Sequence, residues 1–459
     1  MLRSNKNPRK KGTSKMKRTA RRPSLMMTTG GKGVVSHVGA RLLCELAEDL
    51  SLSEQLSVAM APTKQRRRGH DRGEVLVDLA VALADGATTI SDLRVLADQP
   101  DLFGQVASVP TAWRTLEAID DAALARIASA RAEARRAAWA AGMDPGFYVI
   151  DIDGTLVDAH SEKEEATATY KRGFGFYPLV AYLDATGEAL AALLRRGNAG
   201  SGTAADHVCV LEASLAQLPV DPRSHEVIVR TDSGSTSHGL AEAARTHRVR
   251  FIGGCAMKAP LAQVVTTVPK KRWKKAISSD GTEELETGQV AEITDLVDLS
   301  AWPEGTRMLA RRELPHPGAQ LRFTDVEGYR YQVFVTDLAD TDICYLEALY
   351  RGRSRVECAI RDAKDTGLAN LPSHSFAINA AWLAVMMIAS DLLAWMKGLC
   401  LDGELARAEP KRLRYRLLHS AGLIVSSARR TTVRIAAGWP WADELVGAFG
   451  RLPSWATIT

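Results

Sequence analysis

The side chains with the clearest chemical potential lie in one short segment, from Tyr350 to Lys364. If this segment is a single helix, four of its polar side chains leave within an arc of about 60°. These four are Tyr350, Arg353, Glu357 and Lys364. A carboxylate among basic groups suits a metal ion beside a phosphate, because the acid binds the cation and the bases bind the phosphate oxygens. An amphipathic helix with solvated charges is the alternative.

Two upstream segments each end in an acidic residue. Residues 147–150 are apolar or aromatic and lead into Asp151 and Asp153, which on a strand point to the same face. Residues 227–231 form a second short strand pattern that ends at Asp232. Two strands and a later helix could bring these acids to one point. Such a cluster needs a cation, and Mg²⁺ or Mn²⁺ suits an all-oxygen site.

The order of these motifs resembles the Asp-Asp-Glu (DDE) transposases of bacterial insertion sequences. Residues 350–364 fit the pattern Tyr-x-x-Arg-x-x-x-Glu-x-x-x-x-x-x-Lys, which marks one branch of that family, without a gap. The resemblance covers roughly residues 38–445. It continues through residues 159–163, 171–178, 194–198, the Trp302-Pro303 dipeptide and residues 367–372.

This resemblance implies a cut-and-paste DNA transposase with endonuclease and strand-transfer activity. Asp153, Asp232 and Glu357 would bind two divalent ions, Mg²⁺ or Mn²⁺, for cleavage at the transposon end and joining to target DNA. Tyr350, Arg353 and Lys364 would position DNA phosphates. Asp153 is favoured over Asp151 as the first ligand, because the metal-binding Asp of the related enzymes stands two residues before a Thr.

The partners implied are double-stranded DNA of the transposon end, target DNA and a second copy of the chain as a homodimer in the DNA complex. No membrane partner is expected, since the longest apolar stretch, residues 380–388, is too short to span a bilayer. No secretory signal is recognised, and the six cysteines show no paired spacing, which predicts a cytoplasmic, nucleoid-associated protein.

Two other functions fit parts of the sequence. Residues 149–156 match the first motif of haloacid-dehalogenase-like phosphatases, in which Asp151 would be the nucleophile and Asp153 the general acid. The antiparallel hairpins expected after this motif disfavour that hypothesis, because those phosphatases continue with a helical crossover. A DNA-binding regulator that has lost catalysis is the other alternative.

The fold class predicted is α/β, with a ribonuclease-H-like catalytic core interrupted by a β-rich insertion and flanked by α-helical N- and C-terminal regions. The apolar fraction of 46% is ordinary for a globular chain. Six segments are expected, in chain order. They are a disordered basic arm (1–36), a helical DNA-binding domain (38–145), the first part of the core (146–256), the insertion (257–342), the Glu helix that completes the core (343–372) and a helical C-terminal region (373–459).

Basic residues concentrate where DNA contact is expected. The first 22 residues hold ten of the 59 Lys and Arg and no acid, and without those ten the body has 49 bases against 54 acids. Such an arm predicts salt-sensitive attraction to phosphates that does not depend on base sequence. Two further basic clusters cover residues 270–275 and 411–434. Trp273, inside the first, is a candidate for stacking on an extruded base; a packing role is the alternative.

Overall fold

The computed structural model describes residues 26–64, 69–159, 162–315, 318–320, 325–427 and 430–452. Most of the predicted basic arm, residues 1–25, lies outside them. Within the described residues a large mixed sheet is flanked by helices, which gives the predicted α/β class.

The N-terminal region is helical after one short strand, β1 (Val34–Val35). That strand is a correction, because residues 34–35 were predicted to be disordered and instead pair with a strand near the C-terminus. Asp71 and Asp120 cap the two longest helices by accepting hydrogen bonds from backbone N–H groups of the first turn. The helices are α1 (Ala40–Asp49), α2 (Leu52–Met60), α3 (Arg72–Asp85), α4 (Arg94–Ala97), α5 (Pro100–Phe103), α6 (Val109–Glu117) and α7 (Asp121–Ala138).

The central part of the chain forms the strands that carry the first two acids. Its elements are β2 (Tyr148–Gly154), β3 (Val157–Asp158), β4 (Thr167–Ala168), β5 (Phe174–Phe176), β6 (Leu179–Leu183), β7 (Ala189–Leu193), α8 (Ala204–Leu215), β8 (Val227–Thr231), α9 (His238–Thr246) and β9 (Arg250–Cys255). The predicted antiparallel hairpins are present, since β6 pairs with both β2 and β7. No helical crossover follows β2 among the described residues, as the phosphatase hypothesis would require.

The predicted β-rich insertion extends the central sheet. It comprises α10 (Ala259–Thr267), β10 (Lys274–Ile277), β11 (Glu284–Glu292), β12 (Arg307–Glu313), β13 (Asp325–Val326) and β14 (Tyr329–Thr336). A turn at Glu327-Gly328 joins β13 to β14, and both residues have positive φ, 52° and 82°. Because β14 pairs with β9, the insertion strands and the central strands belong to one sheet.

The last part of the chain contains the predicted catalytic helix and the C-terminal elements. These are α11 (Ile343–Arg351), α12 (Ser354–Ala363), α13 (Phe376–Trp395), α14 (Pro410–Leu413), β15 (Gly422–Ser427), β16 (Arg430–Ile435) and α15 (Ala442–Gly450). The prediction of a helical C-terminal region is wrong for residues 422–435, which form a hairpin and join β1 in a separate three-stranded sheet. The β-branched residues of this segment suit a strand.

The large sheet has the order β10-β11-β12-β14-β9-β8-β2-β6-β7. Strand β8 is parallel to both β2 and β9, whereas β6 is antiparallel to β2. Neighbouring parallel strands end at the same edge of a sheet, so the carboxyl ends of β2 and β8 lie side by side.

Helix α13 lies in the core of the protein. Together with the turn that follows, residues Phe376–Cys400 are long and apolar enough to cross a membrane by length and composition, but 67% of the apolar window is buried inside the protein. The helix contacts both α3 and β7. The N-terminal helices therefore share a core with the C-terminal region instead of forming a core of their own.

Candidate active site

Asp153 and Asp232 lie next to each other at one edge of the large sheet. Asp153 is near the end of β2, Asp232 directly follows β8, and the two strands are parallel neighbours with Ile152 opposite Thr231. Burial and, as the second cause, the negative charge of Asp232 together raise the pKa of the Asp153 carboxyl to about 6. The strands thus bring the first two predicted acids together.

A tight turn after β8 orients the Asp232 side chain. Its Oδ1 accepts hydrogen bonds from the backbone N–H groups of Gly234 at 3.1 Å and Ser235 at 2.7 Å. Its backbone oxygen accepts from the Thr236 hydroxyl at 2.7 Å. An aspartate that hydrogen-bonds the following backbone is the usual basis of such a turn. The Ser/Gly pattern after the predicted strand therefore fixes the direction of the carboxylate.

The segment from Tyr350 to Lys364 is not one helix, which corrects the prediction. Helix α11 ends at Arg351 and α12 begins at Ser354, with N–H groups in the junction bonding three residues back, Arg353 to Tyr350 and Arg355 to Gly352. A turn of the π type then covers residues 364–368. The four polar side chains therefore do not share a face through simple helical spacing.

The break occurs where a buried arginine approaches the helix. Nη1 of Arg230, on β8, donates to the Leu349 backbone oxygen at 2.6 Å. A Cβ at position 352 would lie 2.6 Å from the same nitrogen, so a larger residue in place of Gly352 would displace the Arg230 side chain from its partners. The sequence held a signal for this contact, since Arg230 is a charged residue within an otherwise apolar strand and must have a partner. Arg230 and Gly352 are the residues that the sequence analysis missed.

Arg353 connects the first and third predicted acids. Its Nη1 lies 3.1 Å from Oδ2 of Asp153, and its Nη2 lies 3.2 Å from Oε1 of Glu357. The side chain of Glu357 is 65% exposed and that of Asp153 is 15% exposed. Glu357 therefore reaches the acid cluster from the solvent side, through a guanidinium.

Tyr350 supports the same site from within the fold. Its ring stacks on Phe334 with centroids 4.7 Å apart and planes inclined by 13°. Burial raises the pKa of its hydroxyl to about 12. A Cβ at Gly254 would lie 2.4 Å from this hydroxyl and 2.8 Å from the Ser233 nitrogen, so the phenol lies beside the turn that holds Asp232.

Lys364 lies farther along, beyond α12. Burial lowers the pKa of its ammonium, and Asp158 and Lys171 are the charged groups that act on it. It forms no ion pair or hydrogen bond with another described residue. The structure thus groups Arg353 and Tyr350 with the acids, whereas Lys364 lies near Asp158 of β3 and Lys171, between β4 and β5.

Asp151 and Asp153 occupy different environments although they are two residues apart. Both oxygens of Asp151 accept from Arg230, at 2.6 and 2.7 Å, and its side chain is 2% exposed. The phosphatase hypothesis needs Asp151 as an accessible nucleophile, and a buried carboxylate held by a guanidinium cannot attack a substrate. Asp153, the residue favoured by the sequence analysis, is the more accessible acid.

Trp273 does not present its ring for stacking, contrary to the prediction. It is 8% exposed, the Arg312 guanidinium lies over its ring at 4.2 Å, and Tyr331 packs edge-on at 6.0 Å. Its indole N–H is buried without a hydrogen-bond partner among the described residues. In this structure the ring is part of the hydrophobic core, which corresponds to the alternative packing role.

The two internal basic clusters are partly neutralised. In residues 270–275, Arg272 pairs with Asp295 and Lys275 with Glu284. In residues 411–434, Lys411 pairs with Asp365, and Arg414 donates to backbone oxygens of α3. The exposed bases without an ion pair to another described residue are Lys270, Lys271, Lys274, Arg412, Arg430 and Arg434.

The donor set of the acid cluster fits a divalent cation. Asp153, Asp232 and Glu357 offer hard carboxylate oxygens, and Arg353 compensates only part of their charge. The three have not closed around a point, however. Among the described residues, the only three ligand-type side chains whose ligand atoms all lie within 4.8 Å of one another are His37, Asp85 and His419.

The chain is similar to known proteins at the level of the family. A family model described as transposase DDE domain group 1 matches residues 17–457. No curated protein sequence matches the chain. A solved structure of a piggyBac transposase synaptic complex with hairpin DNA is similar at 10% identity and a TM-score of 0.43, covering 83% of this chain and 80% of that one.

Proposed function

Because this chain belongs to the transposase DDE domain group 1 family, we propose that it cuts the DNA ends of a transposon and joins them to target DNA. The observation that carries this proposal is the placement of three acids. Asp153 and Asp232 lie at the carboxyl ends of neighbouring parallel strands. Arg353 donates hydrogen bonds to both Asp153 and Glu357. The result is an acidic site at a sheet edge, and a cation bound there would reduce its repulsion of a polyanionic substrate.

The order of the central strands supports a ribonuclease-H-like core. Strands β7, β6 and β2 are antiparallel neighbours, and β8 and β9 continue from β2 in parallel. The uninterrupted Tyr-Arg-Glu-Lys pattern of residues 350–364 supports placement in the insertion-sequence branch that carries this signature.

Asp153, Asp232 and Glu357 are the residues that would hold two divalent ions, Mg²⁺ or Mn²⁺. When bound, such ions supply an activated water and charge stabilisation for phosphoryl transfer. The turn at Asp232 orients one carboxylate, and the buried Asp151–Arg230 pair fixes the strand that carries Asp153. No residue has to form a covalent bond with DNA.

The basic and phenolic groups around the acids would contact the DNA backbone. Arg353 uses one nitrogen for each of two acids, and a guanidinium has five N–H donors, so it retains donors for a phosphate. Lys364 has no described partner and offers a point charge at the C-terminal end of α12. Tyr350 would act by holding the Asp232 turn and Arg353 in place.

The macromolecular partners proposed are double-stranded transposon ends, target DNA and a second copy of the chain in the DNA complex. Two exposed bases, Arg430 and Arg434, lie on β16 of the small sheet. Strand β1, which lies near the N-terminal arm in the sequence, belongs to the same sheet. Cations on such a sheet would give salt-dependent attraction to phosphates. A cytoplasmic, nucleoid-associated location follows from this function.

DNA cleavage tests the proposal directly. The full chain is incubated with end-labelled DNA that flanks its coding sequence, in Mg²⁺ or in EDTA. Cleavage at one position in Mg²⁺ only, lost in Glu357→Gln and retained in the exposed control Glu242→Gln, is the expected result. Binding of the ends by the parent protein without cleavage in Mg²⁺ or Mn²⁺ would instead identify a regulator that has lost catalysis.

A further inference from the structure

A second cluster of ligand-type side chains lies away from the acidic site. It is formed by His37, between β1 and α1; Asp85, the last residue of α3; and His419, before β15. Nδ1 of His37 lies 2.6 Å from Oδ2 of Asp85, and Nε2 of His419 lies 3.3 Å from Oδ1. One ligand atom from each residue can be chosen so that all three lie within 4.8 Å of one another.

The carboxylate at the centre of this cluster is incompletely satisfied. The Asp85 side chain is only 4% exposed, and its Oδ1 has no hydrogen bond of acceptable geometry among the described residues. The nearby Nε2 of His419 is instead directed at the Asp85 backbone oxygen, at 2.8 Å. A buried carboxylate facing two imidazoles is stable only if a cation or protons compensate its charge.

The local backbone also favours a cation here. The cluster lies at the C-terminal end of α3, a helix of 14 residues, where the helix dipole is negative. Arg414 is the other cation that faces this end, and it is already bonded to the oxygens of Leu83 and Ala84. His37 has a left-handed backbone, with φ of 58°, which is uncommon for a non-glycine residue. Its ring contacts Asp85.

We propose that His37, Asp85 and His419 form a binding site for a divalent transition-metal ion of the Zn²⁺ class. Two imidazoles and one carboxylate are typical ligands of such ions, with a water in the remaining position. Tetrahedral Zn²⁺ ligands lie about 3.3 Å apart, so closure needs shifts of roughly 1 Å from the observed separations. Imidazole nitrogens favour Zn²⁺ over Mg²⁺, whereas the all-oxygen acid cluster suits Mg²⁺.

The proposed ion would join three separate parts of the chain. The Val38 N–H donates to the Ser420 oxygen, and a Cβ at Gly39 would lie 2.3 Å from the Leu417 oxygen, so the two histidine segments are already in contact. Residues just before His37 form β1, and residues just after His419 form β15, which pairs with it. The ion would therefore fix the small β1-β15-β16 sheet, with its exposed arginines, relative to α3.

The test measures Zn²⁺ and Co²⁺ binding to the full chain. Asp153→Asn and Asp232→Asn are present in every sample, so that ions at the acidic site do not contribute. We expect one Zn²⁺ per chain by equilibrium dialysis, and a Co²⁺ absorption spectrum of the tetrahedral type that Zn²⁺ abolishes. His37→Gln and His419→Gln should each weaken Zn²⁺ binding at least tenfold, about the minimum seen when metal ligation is disturbed. Both positions are partly exposed, so these variants should fold, which circular dichroism checks.

The control is His247→Gln, which removes an exposed histidine that also lies beside an acid, Glu212, at 3.1 Å. It should bind Zn²⁺ as the parent does. Equal Zn²⁺ affinity in all four proteins, or no binding by the parent, would overturn the proposal. In either case the cluster would be a hydrogen-bonded clamp whose charge is balanced by protons. Displacement of Zn²⁺ by equimolar Mg²⁺ would contradict the proposed metal class.

Discussion

Two charged clusters in this protein differ in how completely their charges are balanced. In the core, Arg131 and Arg135 meet Asp391 and Glu188, with side-chain exposures of 0 to 6%. At the sheet edge, Asp153, Asp232 and Glu357 share only Arg353, and Glu357 is exposed. The first cluster has as many bases as acids, and its oxygens also accept from Trp139 and Trp395. The second has an excess of negative charge.

This difference in charge balance indicates different roles for the two clusters. A buried ionic cluster is tolerated only when each group is paired, and the core cluster meets that condition across α7, β7 and α13. An unpaired excess destabilises the fold, so it persists where a ligand supplies the missing charge. Substitutions in either cluster therefore test this difference.

Asp391→Asn should be the most destabilising of these changes. It leaves Arg131 and Arg135 buried with one carboxylate fewer, which typically costs about 3–5 kcal/mol of unfolding free energy. Chemical denaturation measures the loss. The matched control is Asp402→Asn, whose carboxylate pairs with Arg451 but is 77% exposed, and it should change stability by less than about 1 kcal/mol. Similar losses in both variants would show that the core cluster is not energetically distinct.

Metal-free stability should depend on the protonation of Asp153. Its pKa is raised from 3.8 to about 6, so between these values the folded protein binds more protons than the unfolded chain, and stability falls as pH rises. In EDTA, lowering the pH from 7 to 5 should therefore stabilise the parent relative to Asp153→Asn by about 1.3 kcal/mol. Parallel pH profiles of melting temperature for the two proteins would contradict the interaction between these acids.

The sequence predicted the strands better than the helix of the site. Alternating acids after an apolar run located Asp153, because a strand pattern is local. The break at Gly352 arises from Arg230, which is 122 residues away along the chain, so no local pattern could reveal it. The burial of Trp273 likewise depends on Arg312 and Tyr331 of other strands.

Divalent ions should stabilise the acidic site. Binding to the folded state alone contributes about 2.7 kcal/mol when free Mg²⁺ is 100 times its dissociation constant. The melting temperature of the parent should thus rise with Mg²⁺, whereas that of Asp232→Asn should stay nearly constant. Asp391→Asn serves as the control, because it weakens the fold without removing a ligand. Its melting temperature should start lower than that of the parent and still rise with Mg²⁺. A Mg²⁺ response of Asp232→Asn equal to that of the parent would exclude Asp232 from the ion site.

Arg353→Ala and Lys364→Ala should have small effects on melting and larger effects on DNA cleavage. Each would remove a proposed charge-assisted phosphate contact, worth roughly 1.5–3 kcal/mol, which corresponds to one to two decades in rate. Single-turnover cleavage and thermal melting are compared for both variants, with the exposed Arg361→Ala on the same helix as the control. Cleavage at the parental rate in both would show that these side chains do not face the scissile DNA.

The most direct test of the central claim is Mn²⁺ binding at the acid cluster, followed by electron paramagnetic resonance. The full chain carries His419→Gln, so that an ion at the histidine cluster does not contribute. Parent, Asp232→Asn and Glu357→Gln proteins are titrated with Mn²⁺, with Glu242→Gln as the control. The proposed site predicts saturable binding by the parent and the control, and markedly weaker binding by the two variants that lose a carboxylate. Equal Mn²⁺ binding by all four proteins would contradict the conclusion that the excess negative charge of Asp153, Asp232 and Glu357 forms a metal site.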